Sequence, residues 1–172
     1  WVIDKEAGKM VHKTIRFNPG FYKLFDEIVV NARDALVRSK EEARIPVKRI
    51  DVSTSTESNG DVIITVKNDG DGIPIAIHET EKCYIPELIF GHLLTSSNYN
   101  KEEEKTVGGK NGYGSKVVSV FSKLFKVSIR DPKSQQTYEQ TWRNNMSVCE
   151  KAHIKKDKAT KGFVEVSYTP DL

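Results

Sequence analysis

Apolar positions along this chain recur at helical spacing in one long stretch and at strand spacing in several short ones. Over 21–39, Phe21, Leu24, Phe25, Ile28, Ala32, Ala35 and Leu36 fall on one arc, the pattern of an amphipathic helix, and Pro19-Gly20 opens it. Residues 47–54 and 61–67 are β-branched runs joined by Ser58-Asn59-Gly60, a hairpin signal. Further strands are expected at 2–3, 11–17, 125–130, 137–142 and 163–168. A second helix is expected over 85–94 with Pro86 in its first turn, and a third starts near Gly114. Between them lie a glycine-rich turn, Asn68-Asp69-Gly70-Asp71-Gly72-Ile73-Pro74, and a long polar loop with a charge run at 101–105. Helices and hairpin-like strands are interspersed, so the pattern predicts an α+β domain rather than a doubly wound parallel sheet.

Composition narrows the class. A chain of 172 residues with 37% hydrophobic and 30% charged positions suits one globular domain with a real core. Its 27 basic residues against 24 acidic leave a net charge of +3, too small to argue for nucleic-acid binding alone. Cys83 and Cys149 form no Cys-x-x-Cys pair, which indicates neither zinc nor a disulfide framework and reads as reduced intracellular thiols. No apolar run approaches the roughly 18 residues of a membrane span, and no signal peptide opens the chain. Asn145-Met146-Ser147 matches a glycosylation sequon by chance on this reading.

The densest chemical signal is Gly108-Gly109-Lys110-Asn111-Gly112-Tyr113-Gly114-Ser115-Lys116, running into the apolar Val117-Val118-Ser119-Val120-Phe121. Glycines let the backbone approach a ligand, and a helix starting there offers unpaired N–H groups to an anion. The order Gly-Ser-Lys fails the P-loop pattern, and no third glycine completes a dinucleotide fingerprint. The stretch reads as a phosphate loop of another kind.

Upstream, Glu27, Asn31 and Asp34 sit at i, i+4 and i+7, one stripe bordering the apolar arc. A carboxylate there can serve as general base on water, and an amide oxygen suits magnesium. The bland reading is a polar helix edge. In the Asn68 turn, Gly70 and Gly72 either make a connection or let backbone approach a flat ligand while Asn68 offers its amide. Calcium is not expected there, because the EF-hand positions fall on Ile73 and Pro74. Thr95-Ser96-Ser97-Asn98 is either a capped loop or a set of ribose and phosphate contacts. His12, His78, His92 and His153 are scattered and receive no catalytic role.

Glu27-x-x-x-Asn31-x-x-Asp34, Asn68-x-Gly70-x-Gly72 and the glycine-rich stretch, in this order, resemble the GHKL ATP-binding domain. Gyrase, the ninety-kilodalton heat-shock chaperones, histidine kinases and the mismatch-repair MutL proteins share that domain. The words at 19–27, 93–99 and 109–114 resemble the eukaryotic-type DNA topoisomerase II branch, as does asparagine rather than aspartate at position 68, and the resemblance covers nearly the whole chain.

The resemblance implies a two-layer α/β sandwich of the Bergerat type, with helices on one face of a mixed, mostly antiparallel sheet, over one domain, 1–172. It implies that Glu27 activates water for attack on the γ-phosphate, that Asn31 holds Mg2+, and that Asn68 meets adenine. Ser96, Ser97 and Asn98 would contact ribose and phosphate. Gly109, Lys110, Asn111, Gly112, Tyr113, Gly114, Ser115 and Lys116 would fold over the triphosphate of ATP, with Lys116 supplying charge. Duplex DNA and a homodimer enter through a longer parent, with ATP closing a dimeric gate for strand passage; the nucleus, or viral or cytoplasmic space for a large DNA virus, is the implied compartment. Two positions depart from the pattern: Lys110 stands for a common arginine, losing the planar fork, and Ser115 for a common alanine. A helix before Trp1 and a transducer domain after Leu172, whose lysine reaches the γ-phosphate, are expected to be missing. The fragment alone is therefore expected to bind ATP with poor turnover and not to cut DNA. The rival readings are a chaperone or mismatch-repair ATPase on the same fold, and a non-hydrolysing nucleotide switch.

Overall fold

The computed structural model describes residues 1–41, 45–92 and 113–171. A small hairpin, β1 (Val2–Asp4) with β2 (Lys9–Val11), precedes the long helix α1 (Pro19–Glu41). Next come β3 (Ile50–Thr56), β4 (Val62–Gly70), α2 (Ile85–Gly91) and α3 (Gly114–Val120). The chain ends with β5 (Ser122–Asp131), β6 (Gln136–Arg143), β7 (Val148–Cys149), β8 (His153–Lys156) and β9 (Gly162–Pro170).

The main sheet has the order β3-β4-β9-β5-β6-β7, with β8 also paired to β6. Among the described residues every one of its pairings is antiparallel, where the resemblance implied a mixed, mostly antiparallel sheet. Alternation sorts its residues onto two faces. Ile64, Val66, Val166, Tyr168, Phe125, Val127, Ile129, Tyr138 and Trp142 point inward and form one core with Leu24, Ile28 and Ala32 of α1 and Val118 of α3. The other face is polar and self-paired: Thr65 bonds Ser167 at 2.9 Å, Lys67 pairs with Glu165 at 2.9 Å, and Lys126 with Glu139 at 3.2 Å. The α+β sandwich read from the sequence is the fold observed.

Local chemistry explains where the elements differ from expectation. Asn18 Oδ1 accepts from the backbone N–H of Gly20 (2.9 Å) and Phe21 (3.2 Å), so α1 starts two residues before 21, with Pro19 in the first turn. The expected strand over 11–17 ends at Val11, because among the described residues 12–17 have no neighbour strand to bond. The strand expected from 47 starts at Ile50. Residues 45–49 are instead tied to two carboxylates: Asp69 Oδ1 accepts from Lys48 N (2.7 Å) and Arg49 N (2.9 Å), and Asp71 Oδ2 from Ile45 N (3.3 Å). The supposed turn at Asn68 begins as strand, with Asn68, Asp69 and Gly70 paired to Val164, Phe163 and Gly162. The helix expected over 85–94 is described as Ile85–Gly91, and Leu93 and Leu94 lie outside the described residues.

Candidate functional site

Three elements carry the residues singled out above. Glu27 and Asn31 are on α1, Asn68 on β4, and Gly114, Ser115 and Lys116 on α3, with Tyr113 exposed just before it. Ser96, Ser97, Asn98, Gly109, Lys110, Asn111 and Gly112 lie outside the described residues.

Glu27 and the start of α3 meet directly. A Cβ built on Gly114 would overlap the Glu27 carboxylate, lying 3.0 Å from its Cδ, so with glycine here α3 begins directly against that group and any larger residue would move it. On the other side, Lys23 Nζ holds Glu27 Oε1 at 2.8 Å and donates to Asp26 Oδ2 at 2.8 Å. Those two carboxylates raise the Lys23 pKa above its ordinary range, chiefly through the hydrogen bond to Asp26 and then that to Glu27. The Glu27 side chain remains 23% exposed, enough to reach a water molecule. The sequence reading missed Lys23, although a lysine four residues before a glutamate on a helix is a visible pairing signal.

One turn further along α1, Asn31 is half-buried, and its side-chain amide bonds to none of the described residues. Asp34, third on the stripe, is 2% exposed and lies 3.4 Å from Arg33 Nη1. The stripe thus turns progressively into the protein from Glu27 to Asp34.

Asn68 occupies the inner face of β4 beyond Val66, 6% exposed, and its Nδ2 donates to Asp69 O at 2.9 Å. Ser39 Oγ accepts from Val47 N at 3.1 Å, and Val47 packs on Gly70, so the C-terminal ends of α1 and β4 lie together. Counted back from that junction, Glu27 is about 18 Å along the helix and Asn68 about 7 Å along the strand.

The glycines of the Asn68 segment meet the backbone of neighbouring strands. Gly72, at φ +75°, takes a conformation that favours glycine, and a Cβ there would overlap the Arg130 carbonyl oxygen. At Gly162 a Cβ would lie 2.5 Å from Gly70 O. These positions let three backbone segments cross at the sheet's end. The aspartates beside them anchor residues 45–49, as described above, and Lys133 Nζ lies 3.6 Å from Asp71 Oδ2.

Lys116 is 2% exposed, and burial pushes its pKa down to about 8. At neutral pH most of it is protonated, so a buried positive charge stands in α3 just past the glycine that touches Glu27. Among the described residues no group of three or more histidine, cysteine, aspartate or glutamate side chains is placed to hold a metal. Any cation near Asn31 would need a ligand's own oxygens to complete its shell, as magnesium in phosphate sites does.

Residues 18–146 match the family described as histidine kinase-, DNA gyrase B-, and HSP90-like ATPase. The chain belongs to that ATPase family. Within it, the DNA topoisomerase 2 of Candida glabrata is 50% identical over the whole of this chain, and that of Saccharomyces cerevisiae 46%. The chain spans 12% of the length of each of these relatives. The crystal structure of the ATPase region of Saccharomyces cerevisiae topoisomerase II superposes with a TM-score of 0.88 at 46% identity, covering 99% of this chain and 43% of that one. The likeness to the eukaryotic-type topoisomerase II ATPase region therefore holds in sequence and in fold.

Proposed function

We propose that this chain is the ATP-binding and hydrolysing domain of a type II DNA topoisomerase, with Glu27 as general base. The observation that carries the proposal is the contact between the Glu27 carboxylate and Gly114, which sets a base against the helix that the phosphate loop enters. Asn68 would take the adenine end. Ser96, Ser97 and Asn98 would contact ribose and phosphate, and Gly109 to Lys116 would enclose the triphosphate. This reading is preferred to a chaperone or mismatch-repair ATPase because of the whole-length identity to topoisomerases.

In the reaction, Glu27 accepts a proton from water as the water oxygen attacks the γ-phosphorus and the bond to the β-phosphate oxygen breaks. Lys23 holds the carboxylate in one orientation, and Lys116 offsets charge on the phosphates. Little covalent chemistry is asked of the protein, so positioning and charge supply the rate. Asn31, half-buried and bonded to none of the described residues, is the side chain that would hold Mg2+, which would supply further neutralisation of phosphate charge. Strand passage through duplex DNA, closure of a homodimer and a nuclear working place belong to the longer enzyme under this proposal. So do the transducer and DNA-cleavage domains, which would lie outside residues 1–172.

The test is a pair of measurements on Glu27→Gln. Calorimetric titration with a non-hydrolysable ATP analogue and magnesium should give an affinity within a few-fold of the unsubstituted chain. ATP hydrolysis by the full-length enzyme carrying the substitution should fall by about 10²–10⁴-fold, the usual worth of a general base. Equal hydrolysis in both forms would remove Glu27 from the reaction. Absence of nucleotide binding by both, in the full-length enzyme, would remove the ATPase reading itself.

A further inference from the structure

The two carboxylate oxygens of Glu27 face different neighbours. Oε1 lies 2.8 Å from Lys23 Nζ, one turn back on the same helix. Oε2 lies against Gly114, where a side chain on that residue would begin. The carboxylate is thus held at both ends, by α1 on one side and by the first residue of α3 on the other. Lys23 is anchored in turn by a second acid, donating to Asp26 Oδ2 at 2.8 Å. The two acids raise its pKa, so it remains a cation at neutral pH.

Helix stability gives little reason for a lysine at this place. Its side chain is 60% exposed and that of Asp26 36%, and exposed pairs of this kind contribute little to folding. Lysine four residues before glutamate is the weaker order of such a pair, and a helix's N-terminal end disfavours a cation. What Lys23 does constrain is the direction of the Glu27 carboxylate. A glutamate side chain turns about several bonds, while a base must come within about 2.6–3.2 Å of the water whose proton it takes. Holding one oxygen removes that freedom before the substrate arrives.

We propose that Lys23 is a positioning residue for ATP hydrolysis: by occupying Oε1 it directs Oε2, beside α3, to the attacking water. The inference rests on the reading of Glu27 as general base. The proton passes from water to Oε2 as the water oxygen bonds the γ-phosphorus and the bond to the β-phosphate oxygen breaks. Lys23 keeps its own proton throughout and touches neither water nor phosphate. Asp26 holds the lysine from its solvent side.

The test uses the full-length enzyme carrying Lys23→Met, Lys23→Arg, Asp26→Asn, Glu27→Gln, or Lys23→Met together with Glu27→Gln. Steady-state ATPase assays on Lys23→Met should give a kcat lower by about 10–10²-fold, the scale of a misplaced reacting group, with KM changed only a few-fold. Its melting midpoint and its affinity for a non-hydrolysable ATP analogue should stay close to those of the unsubstituted enzyme. Lys23→Arg keeps the charge and should restore most of kcat. In Asp26→Asn the lysine retains Glu27 as its partner, so the loss should be much smaller than in Lys23→Met. Adding Lys23→Met to Glu27→Gln should cost nothing more, because no base is left to direct. An unchanged kcat in Lys23→Met, a loss confined to KM, no rescue by arginine, an equal loss in Asp26→Asn, or a further loss in the double variant would overturn the proposal. Full hydrolysis by Glu27→Gln would remove the general base itself and this inference with it, whereas an inactive Glu27→Gln beside a fully active Lys23→Met would remove the inference alone.

Discussion

At the scale of single residues, the site depends on one missing methyl group and one buried charge. Gly114→Ala would drive a Cβ into the Glu27 carboxylate, which must then turn away or push α3 outward. The carboxylate is the end of a flexible side chain, so stability should change little, but a displacement of about 1 Å at a reacting group costs on the order of 10² in rate. The expected outcome is a kcat about 10²-fold lower in the full-length enzyme with a much smaller change in KM, read from steady-state ATPase assays. Loss in KM alone would place Gly114 in binding and not in the alignment of Glu27.

Lys116 gives a second residue-scale prediction, with opposite signs for binding and stability. Its folded pKa of about 8 lies below the ordinary 10.5, so it loses its proton in the folded protein first as pH rises. A neutral lysine attracts no phosphate, so affinity for a triphosphate should fall between pH 7 and 9. The free protein responds the other way: between about 8 and 10.5 the unfolded chain binds more protons than the folded one, so this group's contribution to stability rises with pH. Comparison with Lys116→Met isolates both effects, since calorimetry and denaturant unfolding should each lose that pH dependence in the variant. A binding curve with the same pH slope in both proteins would exclude Lys116 from the phosphate contacts. Little of this was legible in the sequence. The lysine's place after a glycine-rich stretch suggested phosphate, but its burial follows from α3 packing on α1 and the sheet, which no local pattern states.

At the scale of elements, α1 was the most legible because its apolar arc is long and regular, and its start was misjudged because a cap depends on one side chain. Asn18→Ala would remove the acceptor for two backbone N–H groups and should cost about 1 kcal/mol. Since α1 carries Glu27 and Asn31 well inside the helix, nucleotide affinity should change far less than the unfolding midpoint. Affinity falling in step with stability would mean that the first turn shapes the site. β7 and β8 were not foreseen, and their reason is length: two and four residues give no alternation to read. The Asn68 segment misled because Gly and Asp are turn formers by composition. Here Asn68 to Gly70 are held as strand by β9, and Asp69 and Asp71 serve as acceptors for the residues that follow α1.

At the scale of the whole molecule, the proposed nucleotide site draws on three distant stretches of chain. α1 and α3 lie on the inner face of an antiparallel sheet, and the junction of Ser39, Val47 and Gly70 sets how far along α1 the polar stripe stands from Asn68. The order of motifs made the family legible, but the distances between them exist only after packing. If those residues form one nucleotide site, a ligand that binds only the folded protein must stabilise all of it. At a hundredfold excess over Kd that linkage is worth about 2.7 kcal/mol. For a domain of this size each kcal/mol moves the melting midpoint by about 2–4 °C, so a non-hydrolysable ATP analogue with magnesium should raise it by about 5–10 °C. Removing magnesium with a chelator should reduce that shift in the unsubstituted chain. In Asn31→Ala the shift should be small with or without the ion, because the side chain proposed to hold it is gone. A full, magnesium-dependent shift in Asn31→Ala would move the metal to another ligand, and the stripe on α1 would then reduce to Glu27 and its lysine partner.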